Sequence, residues 1–334
     1  MAVPMRQAVK VGAYVARQRL RKNEKFALVL QLEPLYQCNL ACAGCGKIQH
    51  TNEILSRRLT VQQCIDAVEE CGAPMVSIAG GEPLVHKEIN KIVEALVERK
   101  RFVYLCTNAI LMPRRMGRFE PSPYFSWAVH IDGLRERHDE SVCREGVFDK
   151  AVVAIRAAQQ AGFRVTTNTT FFTHDSPKTV QAVLDFLNDE LKVDQMMISP
   201  AYAYEKAPDQ EHFLGVKQTR ELFRQAFADG RRKRWRLNHS PLFLDFLEGK
   251  VDFECTPWGI PSYSLFGWQR PCYLMADGYT KTYKELLETT DWDKYGRGRD
   301  PRCENCMAHC GYEPTAMLAT TKSLKQSLRA VVSG

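Results

Sequence analysis

The hydrophobic positions of this chain fall into short apolar runs separated by longer stretches with helical spacing. The short runs predict six strands, at residues 26–32, 75–79, 102–106, 125–133, 164–170 and 195–200. Apolar residues at helical spacing predict helices between them, at about 61–71, 86–99, 148–161 and 177–190. Strands that alternate with helices form parallel sheets. The pattern therefore predicts an α/β chain whose core is an open, six-stranded, TIM-like partial (β/α)6 barrel.

The alternation stops after residue 204, and the rest of the chain has a different composition. Helices are predicted near 216–228 and 241–248, followed by a loop-rich tail with aromatic residues and cysteines. We therefore predict three regions. They are a basic amphipathic segment at 1–25, a barrel at 26–210, and a cysteine-rich C-terminal extension at 211–334 with a possible auxiliary metal site.

Positive charge is concentrated near the N-terminus, although the 334-residue chain has a net charge of only +7. Basic residues of segment 1–25 alternate with apolar ones, as in an amphipathic helix that lies on an anionic membrane surface. A solvated helix packed against the barrel fits the same pattern equally well. A second basic run, at 231–236, is more typical of a charged helix end than of a nucleic-acid surface, so no nucleic-acid partner is predicted.

Cysteine content bears on the cellular compartment. The chain has no apolar run of roughly eighteen residues that could span a bilayer. Its first residues lack the layout of a secretory signal. Twelve cysteines without such a signal predict the reducing cytoplasm, with the inner face of the membrane as a possible peripheral location. In that compartment, cysteines are expected to bind metals or take part in thiol chemistry rather than to form disulfides.

Three cysteines follow the first predicted strand in a C-x3-C-x2-C spacing: Cys38, Cys42 and Cys45. Small neighbouring residues allow the backbone to loop closely around an inorganic core. Three thiolates leave one iron of a cubane cluster without a protein ligand, as a catalytic site needs. A zinc site is the alternative, but zinc ligands usually form paired C-x2-C arms that lie far apart in the sequence.

A second motif, Gly80-Gly81-Glu82-Pro83, follows the second predicted strand. A glycine turn exposes backbone carbonyls to an ammonium group, Glu82 adds negative charge, and Pro83 fixes the exit of the turn. An ordinary strand-to-helix turn is the alternative. Placed at the ends of consecutive strands, the two motifs together resemble those of the radical S-adenosylmethionine (SAM) superfamily.

The resemblance implies a [4Fe–4S] cluster on Cys38, Cys42 and Cys45, with SAM bound to its open iron through amino and carboxylate groups. One electron, from a donor such as flavodoxin or ferredoxin, then cleaves SAM to methionine and a 5′-deoxyadenosyl radical. The Gly80–Pro83 turn would bind the ammonium of SAM. Polar residues at other strand ends would bind its ribose, adenine and carboxylate: Asn108, His130, Asp132, Asn168 and Ser199.

Cys106 ends the third predicted strand, beside the polar pair Thr107-Asn108. If its thiol faces the barrel interior, it is well suited to donate a hydrogen atom to a carbon radical, because an S–H bond is weak. The alternative is a small buried hydrophobe, which is the usual role of a free cysteine. We predict that Cys106 ends the reaction by hydrogen-atom transfer.

A second cysteine group lies near the C-terminus, where Cys303, Cys306 and Cys310 have the mirror spacing C-x2-C-x3-C. With Cys272 upstream, the group is similar to the auxiliary-cluster extensions, of SPASM or twitch type, of some radical SAM enzymes. It departs from them because no further cysteine follows closely after Cys272, and Cys255 has no assigned role. We predict a second [4Fe–4S] cluster on Cys272, Cys303, Cys306 and Cys310, with zinc as the lesser alternative.

The substrate is predicted from a closer resemblance to the adenosyl-hopene transferases of hopanoid biosynthesis. It involves the basic N-terminal segment, residues 38–49, the strand end at 129–133 and the cysteine-rich tail. It implies that the adenosyl radical adds to the terminal alkene of diploptene, a hopene, to give adenosylhopane. A peptide-modifying radical SAM enzyme with an auxiliary cluster, and a non-enzymatic iron–sulfur electron carrier, are the alternatives.

Overall fold

Nine strands form one sheet in residues 4–320, the part of the chain that this computed structural model describes. In chain order they are β1 Val29–Leu32, β2 Met75–Ile78, β3 Phe102–Thr107, β4 Phe125–His130, β5 Arg164–Phe171, β6 Gln195–Pro200, β7 Ser262–Ser264, β8 Gly267–Cys272 and β9 Met275–Thr280. Their order in the sheet is β6-β5-β4-β3-β2-β1-β7-β8-β9. The outer ends of the predicted regions 1–25 and 211–334 lie outside the described residues.

Twelve α-helices lie between and after these strands in the same part of the chain. They are α1 Met5–Leu20, α2 Asn52–Ser56, α3 Val61–Cys71, α4 Ile89–Glu98, α5 Met112–Arg115, α6 Arg135–Ser141, α7 Val147–Gln160, α8 Pro177–Asp185, α9 Val216–Ala226, α10 Pro241–Leu247, α11 Tyr283–Thr289 and α12 His309–Thr320. The Thr60 side chain begins α3 with a capping box to Gln63, and Gly72 ends that helix in the left-handed conformation. The helix boundaries thus follow local sequence signals.

Strands β1 to β6 are all parallel to their neighbours, which confirms the predicted α/β architecture. Alternate residues point to opposite faces of each strand. Large apolar residues of one face, such as Leu105 and Trp127, are buried in the core beneath the helices. The inner face carries small and polar residues instead, among them Ser77, Cys106 and Thr166. The inner face is therefore the more polar face of these strands.

The tail is not loop-rich throughout, as the sequence suggested, because it adds three strands to the barrel. Strand β7 pairs in parallel with β1, and β7, β8 and β9 then form antiparallel pairs. Trp268 of β8 is fully buried and its indole N–H donates to Glu70 at 2.9 Å. Residues 262–264 and 267–268 of this aromatic part of the tail thus belong to the sheet.

Helix α12 joins the tail to the open side of the barrel beside β6. Its Glu313 is 3.0 Å from His239 Nδ1, while the other ring nitrogen of His239 accepts from the Ile198 N–H of β6 at 2.9 Å. The Gly311 carbonyl accepts from Thr256 N–H at 2.9 Å, just before β7. This helix therefore connects the two sides of the gap between β6 and β7.

The predicted N-terminal helix is present as α1, and it packs against the amino ends of the strands. Val11 packs with Met75 and Phe102, the first residues of β2 and β3, and Gln7 donates to Tyr104 Oη at 2.9 Å. This side of α1 is therefore a floor for the barrel, at the opposite end from the loops that follow the strands. Within residues 4–320 no helix is both long and apolar enough to cross a membrane.

The basic run at 231–236 is largely paired with acidic residues of this chain. Arg232 bonds Asp245 at 2.9 Å and also Glu248, and Arg234 lies 3.6 Å from Asp189. The run follows α9 as a short 3-10 segment. This arrangement agrees with the expected charged helix end.

Candidate active site

The cysteine loop, residues 38–45, follows β1 at the carboxyl edge of the sheet. The loop turns back on itself, since Cys45 N–H donates to the Cys42 carbonyl at 3.2 Å and Leu40 N–H donates to Cys38 Sγ at 3.4 Å. Burial raises the pKa of Cys38 to about 11. Burial raises the pKa of Cys42 further, and the neighbouring charges of Cys45 and Cys38 add to this. The three thiols therefore lie within electrostatic range of one another, and metal binding must displace their protons.

The three thiols do not converge on one point. Among residues 4–320, no three His, Cys, Asp or Glu side chains lie close enough together to hold a single metal ion. In a cubane cluster each cysteine sulfur binds a different iron, so its thiolates lie farther apart than those around one tetrahedral zinc ion.

The Gly80-Gly81 turn packs directly on the backbone that leads into the cysteine loop. A Cβ atom on Gly80 would stand 2.2 Å from the Leu35 carbonyl oxygen, and one on Gly81 would stand 2.1 Å from that of Gln37. Gly80 also has a φ of +102°, which residues with side chains rarely adopt. Glycine is thus required here for close backbone contact between the two motifs, a reason that the sequence did not reveal.

Glu82 points inward rather than outward from the turn. Its carboxylate accepts from Asn108 N–H at 2.8 Å, Thr107 Oγ1 at 2.9 Å and Leu84 N–H at 3.0 Å, and the residue is only 1% exposed. Burial raises the pKa of Glu82 to about 7, although these hydrogen bonds oppose the shift. Glu82 therefore ties the turn to the end of β3, in addition to the ligand-binding role predicted for it.

Asn108 joins the end of β3 to the cysteine loop. Its side-chain amide donates to Asn39 Oδ1 at 2.7 Å, and the same nitrogen lies 3.9 Å from Cys38 Sγ. A nearby amide dipole stabilises a thiolate that binds a cluster. Asn108 is thus placed beside the cysteine loop, and its role in SAM binding stays a prediction.

His130 and Asp132 form an ion pair at the end of β4, with Nε2 and Oδ2 3.0 Å apart. The other carboxylate oxygen of Asp132 accepts from Thr170 N–H on β5 at 2.7 Å. Burial lowers the pKa of His130, but the Asp132 carboxylate outweighs it and raises that pKa above the ordinary value. The pair thus places a hydrogen-bond donor, His130, and a carboxylate acceptor, Asp132, at the mouth of the barrel.

The two remaining predicted SAM-site residues lie on β5 and β6. Asn168 is the register partner of His130 and is partly exposed on the inner face. Ser199 is buried and its hydroxyl donates to the Pro200 carbonyl at 3.1 Å. The structure thus brings Asn168 to the His130–Asp132 pair, whereas Ser199 makes a local bond.

Cys106 lies on the inner face of β3. Its sulfur is 3.5 Å from the Ser77 hydroxyl on β2, and its register partner on β4 is Ala128, which has a small side chain. Burial raises the pKa of Cys106 to about 11, so the side chain is a protonated thiol at neutral pH. Two residues away along the chain, Asn108 contacts the cysteine loop. The thiol is therefore both interior and hydrogen-bearing.

A lysine that the sequence analysis did not select links the cysteine loop to the tail. Lys47 Nζ is 2.9 Å from the buried Glu33 carboxylate and 4.1 Å from the ring centroid of Tyr273, with Tyr204 at 5.5 Å. Cation–π contacts of this kind are favourable, above all away from water. No local sequence signal indicates this site, because its partners lie far apart in the chain.

The C-terminal cysteines also come together. The charges of Cys272 and Cys303 act on Cys306, and those of Cys306 and Cys272 act on Cys310. All are free thiols and are partly buried. Burial raises the pKa of Cys272 to about 11 and that of Cys306 to about 12. Thiols are the donors that an iron–sulfur cluster needs, and the second metal site stays a prediction. Cys303 Sγ also lies 3.9 Å from Met275 Sδ.

Comparison with known protein families agrees with this geometry. Residues 32–187 match the radical SAM superfamily. This part of the chain is therefore similar to radical SAM proteins, whose family uses a [4Fe–4S] cluster together with SAM. Residues 196–330 match a separate family described only as a domain of unknown function, DUF3463.

Curated relatives match less than half of the chain. The mycofactocin maturase MftC of Mycolicibacterium smegmatis is 31% identical over 140 residues, which are 41% of this chain and 35% of that protein. The Fe-coproporphyrin III synthase of Methanosarcina barkeri is 26% identical over 159 residues, or 46% of this chain and 39% of that protein. The chain thus spans well under half the length of these relatives.

Solved structures share the fold over most of the chain. Streptococcus suis SuiB superposes with a TM-score of 0.66 at 17% identity, covering 92% of this chain and 77% of SuiB. The enzyme anSMEcpe with bound AdoMet and a peptide, Cp18Cys, gives a TM-score of 0.55 at 16% identity, covering 92% of this chain and all of that one. The radical SAM fold with a C-terminal extension is thereby confirmed.

Proposed function

We propose that this radical SAM enzyme transfers the 5′-deoxyadenosyl group of SAM to the terminal alkene of diploptene, forming adenosylhopane. The observation that carries the proposal is the protonated thiol of Cys106 on the inner face, beside Ser77 and Ala128. Addition to an alkene leaves a carbon radical that must gain one hydrogen atom. An enzyme that only abstracts hydrogen has no such need.

The strand ends of the barrel would hold SAM for this reaction. Cys38, Cys42 and Cys45 would hold the [4Fe–4S] cluster, which supplies one electron to cleave SAM when it is bound. Glu82 would balance the ammonium of SAM, because an ionised carboxylate in a buried site needs a cation. The His130–Asp132 pair, with Asn168 beside it, offers hydrogen bonds to the ribose and adenine.

The reaction balances with two electrons and one proton. The first electron splits the sulfonium C5′–S bond of SAM, which releases methionine and the adenosyl radical. C5′ bonds to the terminal carbon of the alkene, and the unpaired electron moves to the adjacent tertiary carbon. Cys106 gives that carbon its hydrogen atom and becomes a thiyl radical. A second electron and a proton, from a flavodoxin or ferredoxin and from solvent, restore the thiol.

The hydrocarbon substrate is supported by residues 38–49 and 129–133, which resemble those of adenosyl-hopene transferases, and by the outward side of α1. Apolar and small residues form a stripe along that side, in which Gly12 is half-buried and the others are exposed: Met5, Val9, Ala13, Ala16 and Leu20. Exposed basic residues, including Arg6, Arg17 and Arg21, flank the stripe. An apolar stripe with basic flanks suits the surface of an anionic membrane. That membrane contact would lie at the amino end of the barrel, opposite the cysteine loop.

The membrane contact is tested by sedimenting the protein with vesicles of anionic phospholipid. Val9→Asp places a charge in the stripe and is expected to lower the bound fraction severalfold. Val153→Asp is the matched control, because Val153 on α7 is 62% exposed and Val9 is 63% exposed. Equal binding of the wild type and both variants would remove α1 from the proposed membrane surface.

The function is tested by anaerobic incubation of the reconstituted enzyme with SAM, reductant and diploptene, followed by mass spectrometry. The wild type is expected to form an adenosylated triterpene, which gains one deuterium in D2O because the thiol hydrogen exchanges with solvent. Cys106→Ala is expected to keep cleaving SAM while product falls by roughly a hundredfold, within the range of a lost proton or hydrogen donor. Cys64→Ala, a buried cysteine on α3, is the control.

One outcome would contradict this function, and another would contradict only the role of Cys106. One is that the wild type releases all of its adenosyl groups as free 5′-deoxyadenosine in the presence of diploptene. The other is that Cys106→Ala forms the same product at the same rate, with the same deuterium content. The second outcome removes Cys106 as donor while leaving the adenosyl transfer in place.

Peptide modification is the second candidate, and the named relatives support it more directly than they support the first. SuiB has been solved with a precursor peptide, SuiA, and anSMEcpe with the Cp18Cys peptide. The barrel interior of this chain is also lined by polar residues such as Ser126, Thr166 and Asn168, which suit a polar substrate. Release of one free 5′-deoxyadenosine for each modified peptide would establish this function instead.

A further inference from the structure

Cys255 is a fifth thiol in the C-terminal cysteine group. It lies within electrostatic range of all four of the others, Cys272, Cys303, Cys306 and Cys310. No role could be predicted for Cys255 from the sequence, because it stands alone in the chain, seventeen residues before the next cysteine. Only the fold brings it to the group.

Three hydrogen bonds fix the backbone around Cys255 on the first turns of α12. The N–H of Thr256 donates to the Gly311 carbonyl at 2.9 Å, and the hydroxyls of Thr256 and Thr315 are 2.6 Å apart. The Thr315 hydroxyl also donates to the Glu254 carbonyl at 2.8 Å. The residues on both sides of Cys255 are therefore attached to the helix that carries Cys310.

Gly311 shows how closely the thiol approaches this helix. A Cβ atom on Gly311 would stand 2.4 Å from Cys255 Sγ, a separation that real side chains do not reach. The residue next to Cys310 must therefore be glycine for Cys255 to keep its place. This places the sulfur of Cys255 against the backbone of a predicted ligand segment.

Cys255 also faces space rather than only packed side chains. It lines an open cavity of about 450 Å³, together with charged residues that include Arg297, Arg299 and Glu254. A cysteine that serves purely as a small hydrophobe has no reason to meet four thiols and a polar cavity. Metal ligation accounts for both features.

We propose that Cys255 is a ligand of the second cluster, in one of the four positions that a cubane offers. The group then holds five thiols, one more than the cluster needs. The ligand set predicted from spacing lacks Cys255 and consists of Cys272, Cys303, Cys306 and Cys310. This inference rests on the proposed second cluster and not on the substrate of the enzyme.

The test uses the full chain without its first cluster, so that all remaining iron reports on the C-terminal group. The variant Cys38→Ala/Cys42→Ala/Cys45→Ala is expected to retain about four irons and four sulfides per chain after anaerobic reconstitution. Adding Cys255→Ala is expected to remove at least half of this iron or to change the EPR spectrum of the reduced cluster. Adding Cys64→Ala instead is expected to change neither.

Two further variants keep the proposal falsifiable if Cys255→Ala disturbs folding. Cys255→Ser preserves the size of the side chain, and Gly311→Ala forces Cys255 Sγ to move without altering any thiol. Each is expected to lower the iron content or shift the EPR spectrum. Unchanged iron and an unchanged spectrum in both would overturn the proposal, as would a triple variant that binds no iron. Adenosyl transfer by the wild type is measured separately and is independent of these results.

Discussion

The two cysteine groups of this protein are assembled in different ways. The first takes its three thiols from one loop of eight residues after β1, in contact with one glycine turn. The second draws five thiols from a loop, the end of β8, a short 3-10 helix and the start of α12. A local group leaves a cluster position open for a substrate, whereas a group built from distant segments has enough ligands to complete a cluster. The comparison suggests a catalytic role for the first and a structural or electron-carrying role for the second.

The largest expected effect is on SAM cleavage, and it distinguishes the catalytic cysteine group from the structural or electron-carrying one. Cys42→Ala removes one of only three ligands and is expected to lower reductive SAM cleavage by far more than the roughly 10–100-fold cost of losing an outer partner of a metal site. Cys306→Ala is expected to retain at least a third of wild-type SAM cleavage, because Cys306 belongs to the C-terminal group and not to the cysteine loop. Anaerobic assays of 5′-deoxyadenosine and methionine after dithionite reduction measure both.

The same two variants are also expected to differ in thermal stability. Cys306→Ala is expected to lower the melting temperature of the reconstituted protein more than Cys42→Ala does, since metal binding at the second group joins four segments of the fold. If Cys306→Ala instead abolishes SAM cleavage and Cys42→Ala does not, the two roles are assigned the wrong way round.

The difference between local and distant contacts also explains which features could be predicted from the sequence. The parallel strands and the capped helix α3 follow from periodicity and local signals, and the first cysteine group follows from spacing. The hairpin β7–β8 was missed because β7 has only three residues and β8 contains Pro271, which disfavours a strand. Contacts between distant segments, such as Lys47 with Tyr273 or Cys255 with Gly311, leave no local pattern.

A smaller effect concerns protonation, and it applies to the first region alone. Burial raises the pKa of Glu82 from an ordinary value of 4.5 to about 7, so the carboxyl is mainly neutral at pH 6 and mainly ionised at pH 7.5. An ionised carboxylate attracts the ammonium of SAM. We therefore expect the Kd for SAM of the reconstituted enzyme to rise roughly eightfold from pH 7.5 to pH 6. Anaerobic calorimetry measures this change.

Glu82→Gln is the control for this titration. Its amide oxygen can accept from Thr107 and the Leu84 N–H, which share one carboxylate oxygen of Glu82, whereas the bond from the Asn108 N–H is lost. We expect its SAM affinity to be weak and to vary little between pH 6 and 7.5. Without SAM, the stability of the fold has the opposite pH dependence to SAM binding. Folding then disfavours the ionised form, so wild-type stability falls as the pH rises from about 4.5 through about 7, and the glutamine variant escapes this loss. If both proteins show the same pH dependence of SAM binding, Glu82 only ties the turn to β3, and the ammonium partner lies elsewhere in the first region.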